Sequence, residues 1–150
     1  MSDDVEASAQ GAAYSPARPG DRFLRGRTLH RLLELLPALA PEDRIAAADR
    51  LLARLAGDQD EETRRAWRDE ALAVIDHPDF APAFAPGSRA EVAVGGTPRG
   101  AKKDIVIAGQ IDRLAVGDRS VLIVDYKTNR PPPHRPEDVA PAYVTQLAAY

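Results

Sequence analysis

The sequence predicts an α/β fold in which a helical first half leads into a β-rich second half. Three observations carry that prediction. Leucines recur at helical spacing in FLRGRTLHRLLELL, residues 23–36, and helical patterning continues to residue 76. After a stretch containing Pro and Gly, the period falls to two in Ala90-Glu91-Val92-Ala93-Val94. Two longer apolar runs then flank Gly117-Asp118-Arg119-Ser120, the pattern of an antiparallel hairpin.

Residues 1–20 are rich in Ser, Ala, Gly and Pro without apolar periodicity, so they read as a linker or disordered leader ahead of a domain at 21–150. In the first helix, from about Asp21, Leu29, Leu32, Leu33 and Leu36 share one face, and Pro37 limits it. Pro41-Glu42 opens a second helix, which Gly57-Asp58 stops after Ala56. A third spans 60–76 with Trp67, Ala71 and Val74 on one side, and His77-Pro78 ends the helical region. A loop containing Pro78, Pro82, Pro86 and Gly87 leads to the short strand at 90–94, which Gly95-Gly96 ends. The hairpin pairs a strand at 104–116 with one at 121–127. Both faces of the latter are apolar as far as Val124, the pattern of a central strand. The proline-rich loop NRPPPHRP, residues 129–136, follows. From Val144 the run VTQLAAY begins a helix that breaks off in mid-pattern at Tyr150, so the domain reads as truncated at its C-terminal end.

At 150 residues the chain is one domain by size, able to bury roughly 68–70% of its unfolded surface. An apolar fraction of 44% and a charged fraction of 29%, with no run of 18 apolar residues and no secretory leader, predict a cytoplasmic protein without membrane association. Having no cysteine removes disulfides, thiolate zinc sites and cysteine-ligated iron-sulfur clusters, so any metal must take oxygen or imidazole ligands. A net charge of −3 argues against a uniformly basic coat, yet Arg18, Arg22, Arg25, Arg27 and Arg31 cluster against the single Asp21. Such a cluster is either a phosphate-neutralising patch or a solvated helix face balanced elsewhere.

The chemistry centres on Lys127. The chain has 17 arginines and three lysines, and Lys127 ends the apolar run Val121-Leu122-Ile123-Val124-Asp125-Tyr126. Lysine is a compact point charge where arginine is a planar fork, so this position calls for the ammonium itself. Strand residues two apart project to one face, which sets Asp125 beside Lys127 and turns Tyr126 away. A buried carboxylate costs several kcal/mol unless it is paired, so Asp125 needs a cation or a metal. Pairing through the hairpin brings Asp112 close to Asp125. Two acids beside a lysine, without cysteine, suit Mg²⁺ or Mn²⁺. On the first helix His30 has Gly26 one turn before it and Glu34 one turn after; it is either a surface or packing residue or a ligand.

These pieces, Gly26-x-x-x-His30, Gly109-Gln110-Ile111-Asp112-Arg113-Leu114, Val124-Asp125-Tyr126-Lys127-Thr128-Asn129 and Gln146-x-x-x-Tyr150, occur in an order that resembles the PD-(D/E)xK nucleases of the RecB type. The nearest likeness is to the nuclease domains of the AddA family of helicase-nuclease subunits, from about Ser15 onward. That resemblance implies a restriction-endonuclease-like mixed central sheet flanked by helices, and a Mg²⁺-dependent DNA exonuclease that hydrolyses unwound single-stranded DNA in double-strand-break repair by homologous recombination. It also implies a heterodimer with an AddB subunit and helicase domains in cis. By the same likeness His30, Asp112, Asp125 and the carbonyl of Tyr126 hold the metal. Lys127 orients the attacking water, and Gln146 and Tyr150 contact Lys127 or DNA at the edge of the site. Ile111 stands where the motif name has proline, as is ordinary for the RecB type. Glu91 reads as either an outer metal contact or a solvent-facing strand residue, and Arg113 and Arg130 as phosphate grips.

No G-x-x-x-x-G-K-[ST] loop is present, so ATP hydrolysis would belong to a helicase part outside this sequence. A nuclease like Cas4 or AddB would bring cysteine ligands for an iron-sulfur cluster, which this sequence lacks. The reading of another class is a non-catalytic DNA-binding or docking module of the same fold, with Asp125 and Lys127 as a structural ion pair.

Overall fold

The computed structural model describes residues 19–97 and 106–150. The leader expected at 1–20 falls almost wholly outside the described residues, as do Lys102, Lys103 and the first two positions of the strand expected at 104–116.

Helix α1, Pro19–Leu35, runs into a 3-10 turn at Leu36–Ala38. Its leucine stripe is the centre of the core: Leu29, Leu32, Leu33 and Leu36 are all buried, and burial of each leucine side chain contributes about 1.5–3 kcal/mol. Helix α2, Pro41–Leu55, begins with proline at a position that needs no amide donor, followed by Glu42 and Asp43 at the positive end of the helix dipole. It contributes Ala48 and Leu52, with Ala56 just beyond. Helix α3, Glu61–Ile75, is capped by Asp60, whose side chain accepts from the Thr63 amide at 2.7 Å. It buries Trp67, Ala71 and Ile75, a stripe in steps of four, while Val74 packs at the margin of the core. The helical region does not end at His77-Pro78: a 3-10 segment, Pro78–Phe84, carries Phe84 back against the core.

Strands β1, Arg89–Gly96, β2, Ile107–Val116, and β3, Val121–Val124, form an antiparallel sheet in that order, so the α/β arrangement read from the sequence is present. Val92 faces Ile111, Arg113 faces Val124, and the hairpin closes through Gly117 N–H to Ser120 O at 2.8 Å. Among the described residues β2 is the middle strand and β3 lies at the edge, with Val121 60% and Leu122 40% exposed. The expectation of a central strand at 121–127 is therefore corrected. Apolar residues on both faces allow a strand to be covered on both sides but do not supply the cover. The ladder also ends at Val124, because the Tyr126 amide donates to the Asp112 carboxylate, at 2.6 Å, instead of to a strand carbonyl.

Arg113 joins the two layers. It is 4% exposed, and its Nη2 donates to the Leu33 carbonyl at 2.8 Å and the Glu34 carbonyl at 3.3 Å, at the C-terminal end of α1. Its Nη1 donates to Ser88 Oγ at 3.1 Å, and the guanidinium lies over the Phe84 ring at 5.0 Å. A cation so placed meets the negative end of the helix dipole and satisfies carbonyls the helix leaves open. The expectation that Arg113 grips phosphate is thus overturned: it is buried inside the fold. Helix α4, Pro141–Ala149, starts three residues before the predicted Val144, with Pro141 at its first turn.

Candidate active site

Three elements converge on the site: α1, the sheet, and the extended segment that follows β3. Gly26 permits the approach of that segment, since a Cβ there would lie 3.0 Å from Thr128 Oγ1. Arg25 reinforces it by donating to the Thr128 carbonyl at 2.9 Å. One turn on, His30 Nε2 lies 2.9 Å from the Tyr126 carbonyl and Nδ1 lies 3.5 Å from Asp112 Oδ1. The Tyr126 ring turns inward, edge-on to the His30 ring with centroids 5.7 Å apart, and packs against the core. Alternation past β3 thus sends Asp125 and Lys127 to one side and Tyr126 to the other, as the sequence predicts.

Strand register supplies the acids. Val92↔Ile111 and Ala90↔Arg113 set Glu91 across from Asp112, and continuing Arg113↔Val124 by one residue sets Asp112 across from Asp125. Glu91 has φ +53°, a left-handed conformation uncommon for a residue with a side chain. It accepts from Gln110 Nε2 at 2.7 Å. His30, Glu91 and Asp112 each offer a donor atom, all within 4.8 Å of one another.

Asp125 lies outside that trio and anchors a second network. Its carboxylate, 7% exposed, pairs with the Lys127 ammonium and accepts from Gln146 Nε2 at 3.1 Å. Gln146 Oε1 accepts from Lys127 Nζ at 3.0 Å, and Gln146 Nε2 also reaches the Tyr150 hydroxyl at 2.9 Å. Gln146 and Tyr150 are one turn apart on α4, which puts both on the face turned toward Lys127. Tyr143 on the same helix holds its ring 4.7 Å from Nζ. Gly109 is the bed for Tyr150, because a Cβ there would lie 2.7 Å from the tyrosine ring.

Burial, hydrogen bonds and neighbouring charges shift three groups of the site from their ordinary values. The hydrogen bond to Asp112 raises the His30 pKa above the ordinary 6.5, outweighing the burial that lowers it. Burial pushes Asp112 upward, but the His30 hydrogen bond, the Tyr126 amide and the His30 and Lys127 charges together bring it below 3.8. Glu91 is raised above 4.5 by burial first and then by repulsion from Asp112 and Glu34. The contact between His30 and Asp112 thus favours the protonated form of His30 and the ionised form of Asp112, while burial and the neighbouring acids disfavour ionisation of Glu91.

The donor set fits a divalent cation. An imidazole, two carboxylates and the Tyr126 carbonyl, which lies against His30, are hard or borderline ligands gathered in one place. The expected metal-binding and catalytic positions fall in the two networks, His30, Asp112 and Tyr126 in the first and Asp125, Lys127, Gln146 and Tyr150 in the second, whereas Arg113 and Arg130 belong to neither. Arg25 and Glu70, which clamp the segment after Lys127, escaped the sequence reading. Arg25 lies in the arginine cluster, one position before the Gly26 motif, whereas Glu70 is one acid among several on α3.

Among the described residues no helix is long and apolar enough to cross a membrane. No curated protein and no solved structure matches the chain. Residues 7–150 match the PD-(D/E)XK nuclease superfamily, whose restriction-endonuclease-like α/β fold accounts for the helices, the antiparallel hairpin and the acids aligned across it. The lysine on the extended segment past that hairpin completes the pattern, and the chain belongs to the PD-(D/E)XK nuclease superfamily.

Proposed function

We propose that this chain is a Mg²⁺-dependent deoxyribonuclease domain, able to use Mn²⁺, that hydrolyses phosphodiesters of single-stranded DNA. The observation that carries the reading is the link between the two networks. Asp112 accepts from the amide of Tyr126, between the two members of the Asp125-Lys127 pair, so the His30 cluster and the ammonium are held in fixed relation. His30, Asp112 and the Tyr126 carbonyl would hold the cation together with Asp125, which lies across the hairpin from Asp112 and would share its carboxylate between the cation and Lys127, while Glu91 would stand beside them as an outer contact. When bound, the cation supplies Lewis acidity toward the phosphoryl oxygen.

The remaining work belongs to protein groups. Lys127, fixed by Asp125, Gln146 and the Tyr143 ring, directs a point charge at the phosphate and orients the attacking water. Water oxygen bonds to phosphorus as the bond to the leaving oxygen breaks, so no covalent enzyme intermediate is needed. Gln146 gives the ammonium a second acceptor beside Asp125, and the Tyr150 hydroxyl accepts from Gln146 Nε2 and so holds that amide in place. At the finer level, the order of motifs and the absence of cysteine favour an AddA-like nuclease domain over one like AddB or Cas4. It would act in cis to a helicase, with an AddB subunit, in double-strand-break repair in the cytoplasm.

Cleavage of end-labelled single-stranded DNA in Mg²⁺ and in EDTA, beside Asp125→Ala, tests the proposal, with circular dichroism reporting folding. Mg²⁺-dependent cutting by the wild-type chain and none by the folded variant is the expected result. A folded wild-type chain that does not cut would favour the docking module.

A further inference from the structure

The segment from Lys127 to Pro132 lines an open groove of about 720 Å³ together with Arg25 and Glu70. Within it one carboxylate serves two arginines. Arg25 Nη2 reaches both oxygens of Glu70, at 2.5 and 2.7 Å, and Arg130 Nη2 reaches Oε2 at 3.0 Å. The two arginines differ in kind. Arg25 has a side chain 15% exposed and is also tied to the Thr128 carbonyl, so it is part of the clamp between α1 and this segment. Arg130 has a side chain 67% exposed and a single bond to Glu70.

Charge decides what the groove can take. Two guanidinium groups and one carboxylate leave the triad with one uncompensated positive charge. Arg25 alone engages both Glu70 oxygens, so Arg130 can leave the carboxylate without stranding it. Arginine forms paired hydrogen bonds with phosphate oxygens, which a water-exposed carboxylate competes for weakly. Pro131 and Pro132, which also line the groove, offer apolar surface with no amide donors, suited to a sugar or base face and not to a second anion.

We infer that Arg130 is a phosphate-binding residue for the nucleotide adjoining the scissile one on the same DNA strand, and that Glu70 holds it on the groove wall and limits its affinity. This subsite rests on the nuclease reading, because Lys127 lines the same groove. Glu70 thereby acts as a brake on binding: it lies on α3, in the helical layer, and its charge opposes any anion in the groove.

Binding of a short fluorescein-labelled single-stranded oligodeoxynucleotide in EDTA, measured by anisotropy over a series of salt concentrations, reads the contact without cleavage. Each phosphate contact contributes about 0.7 to the slope of log K against log salt for a single strand. Arg130→Gln should make the slope shallower by about 0.7, so that affinity falls ~2.6-fold less over a fourfold rise in salt. Glu70→Gln should change it in the opposite direction and tighten binding. Arg54→Gln, on α2 away from the groove, should leave it unchanged. If Arg130→Gln leaves the slope at the wild-type value, or Arg54→Gln lowers it equally, the subsite is overturned while the nuclease reading stands. If Glu70→Gln folds by circular dichroism and binds more weakly, the brake is overturned. Wild-type chain that binds no DNA in EDTA overturns the subsite alone, since the nuclease reading stands or falls on Mg²⁺-dependent cleavage.

Discussion

Replacing Arg113 by leucine tests the link between the helical layer and the sheet. The substitution removes the 2.8 Å bond to the Leu33 carbonyl, its weaker branch to the Glu34 carbonyl, and the 3.1 Å bond to Ser88 Oγ. Leaving the Leu33 carbonyl buried without a donor costs about 1–3 kcal/mol, and the hydroxyl bond adds about 1 kcal/mol. Leucine recovers apolar packing against Phe84 and removes a buried cation, which offsets part of this. A net loss of about 2–3 kcal/mol is expected, a large fraction of the stability of a domain this size. Trp67 is the only tryptophan and lies in the core, so its fluorescence during urea unfolding reports the loss directly. Arg113→Lys should lose nearly as much, since an ammonium cannot span α1 and Ser88 at once. A loss below about 0.5 kcal/mol in both variants, or weaker DNA binding at unchanged stability, would refute the structural assignment and restore the phosphate role.

Lys127→Arg should reduce single-turnover cleavage almost as far as Lys127→Ala, because a planar fork cannot take the ammonium's place between Asp125 and Gln146; rescue by arginine would mean that charge alone suffices. Gly109→Ala places a methyl 2.7 Å from the Tyr150 ring and must displace it, so cleavage should fall about tenfold, the equivalent of one lost hydrogen bond, with the circular dichroism spectrum unchanged. In EDTA, the raised pKa of His30 contributes stability that is complete below 6.5 and disappears as pH rises through the higher folded value. The lowered pKa of Asp112 contributes above 3.8 and is lost as pH falls through the lower folded value, so the pair stabilises most between 3.8 and 6.5. His30→Asn should therefore lower the urea midpoint more near pH 5 than near pH 9, and an equal effect at both would remove the ion pair.

How much of this was legible depended on whether a signal is periodic. Leu29, Leu32, Leu33 and Leu36 announce the face of α1 because helical geometry converts spacing directly into burial. The hairpin is equally plain, and its register follows from the turn at 117–120, which is why Asp112 and Asp125 could be placed together in advance. The edge position of β3 was not legible, since an apolar run looks the same whether or not another layer covers it. Glu91 alternates like any half-exposed strand residue, and only the pairing with β2 brings it to Asp112 and His30.

The cations make the limit sharper. Lys127 stood out because the chain spends lysine so rarely, and its surroundings explain the choice: a carboxylate, an amide oxygen and an aromatic face converge on one small charge. Arginine, used 17 times, gives no such contrast, and three arginines near the site have three different fates. Arg113 is buried against the end of α1, Arg25 clamps the segment after Lys127, and Arg130 stays exposed with one bond to Glu70. Each fate is set by which carbonyl or carboxylate another element brings within reach, a distance in space with no counterpart in sequence spacing. The candidate reacting groups are therefore visible in the sequence, while which carbonyl or carboxylate each neighbouring arginine meets becomes readable only when α1, α3 and the segment after Lys127 are assembled around the same groove.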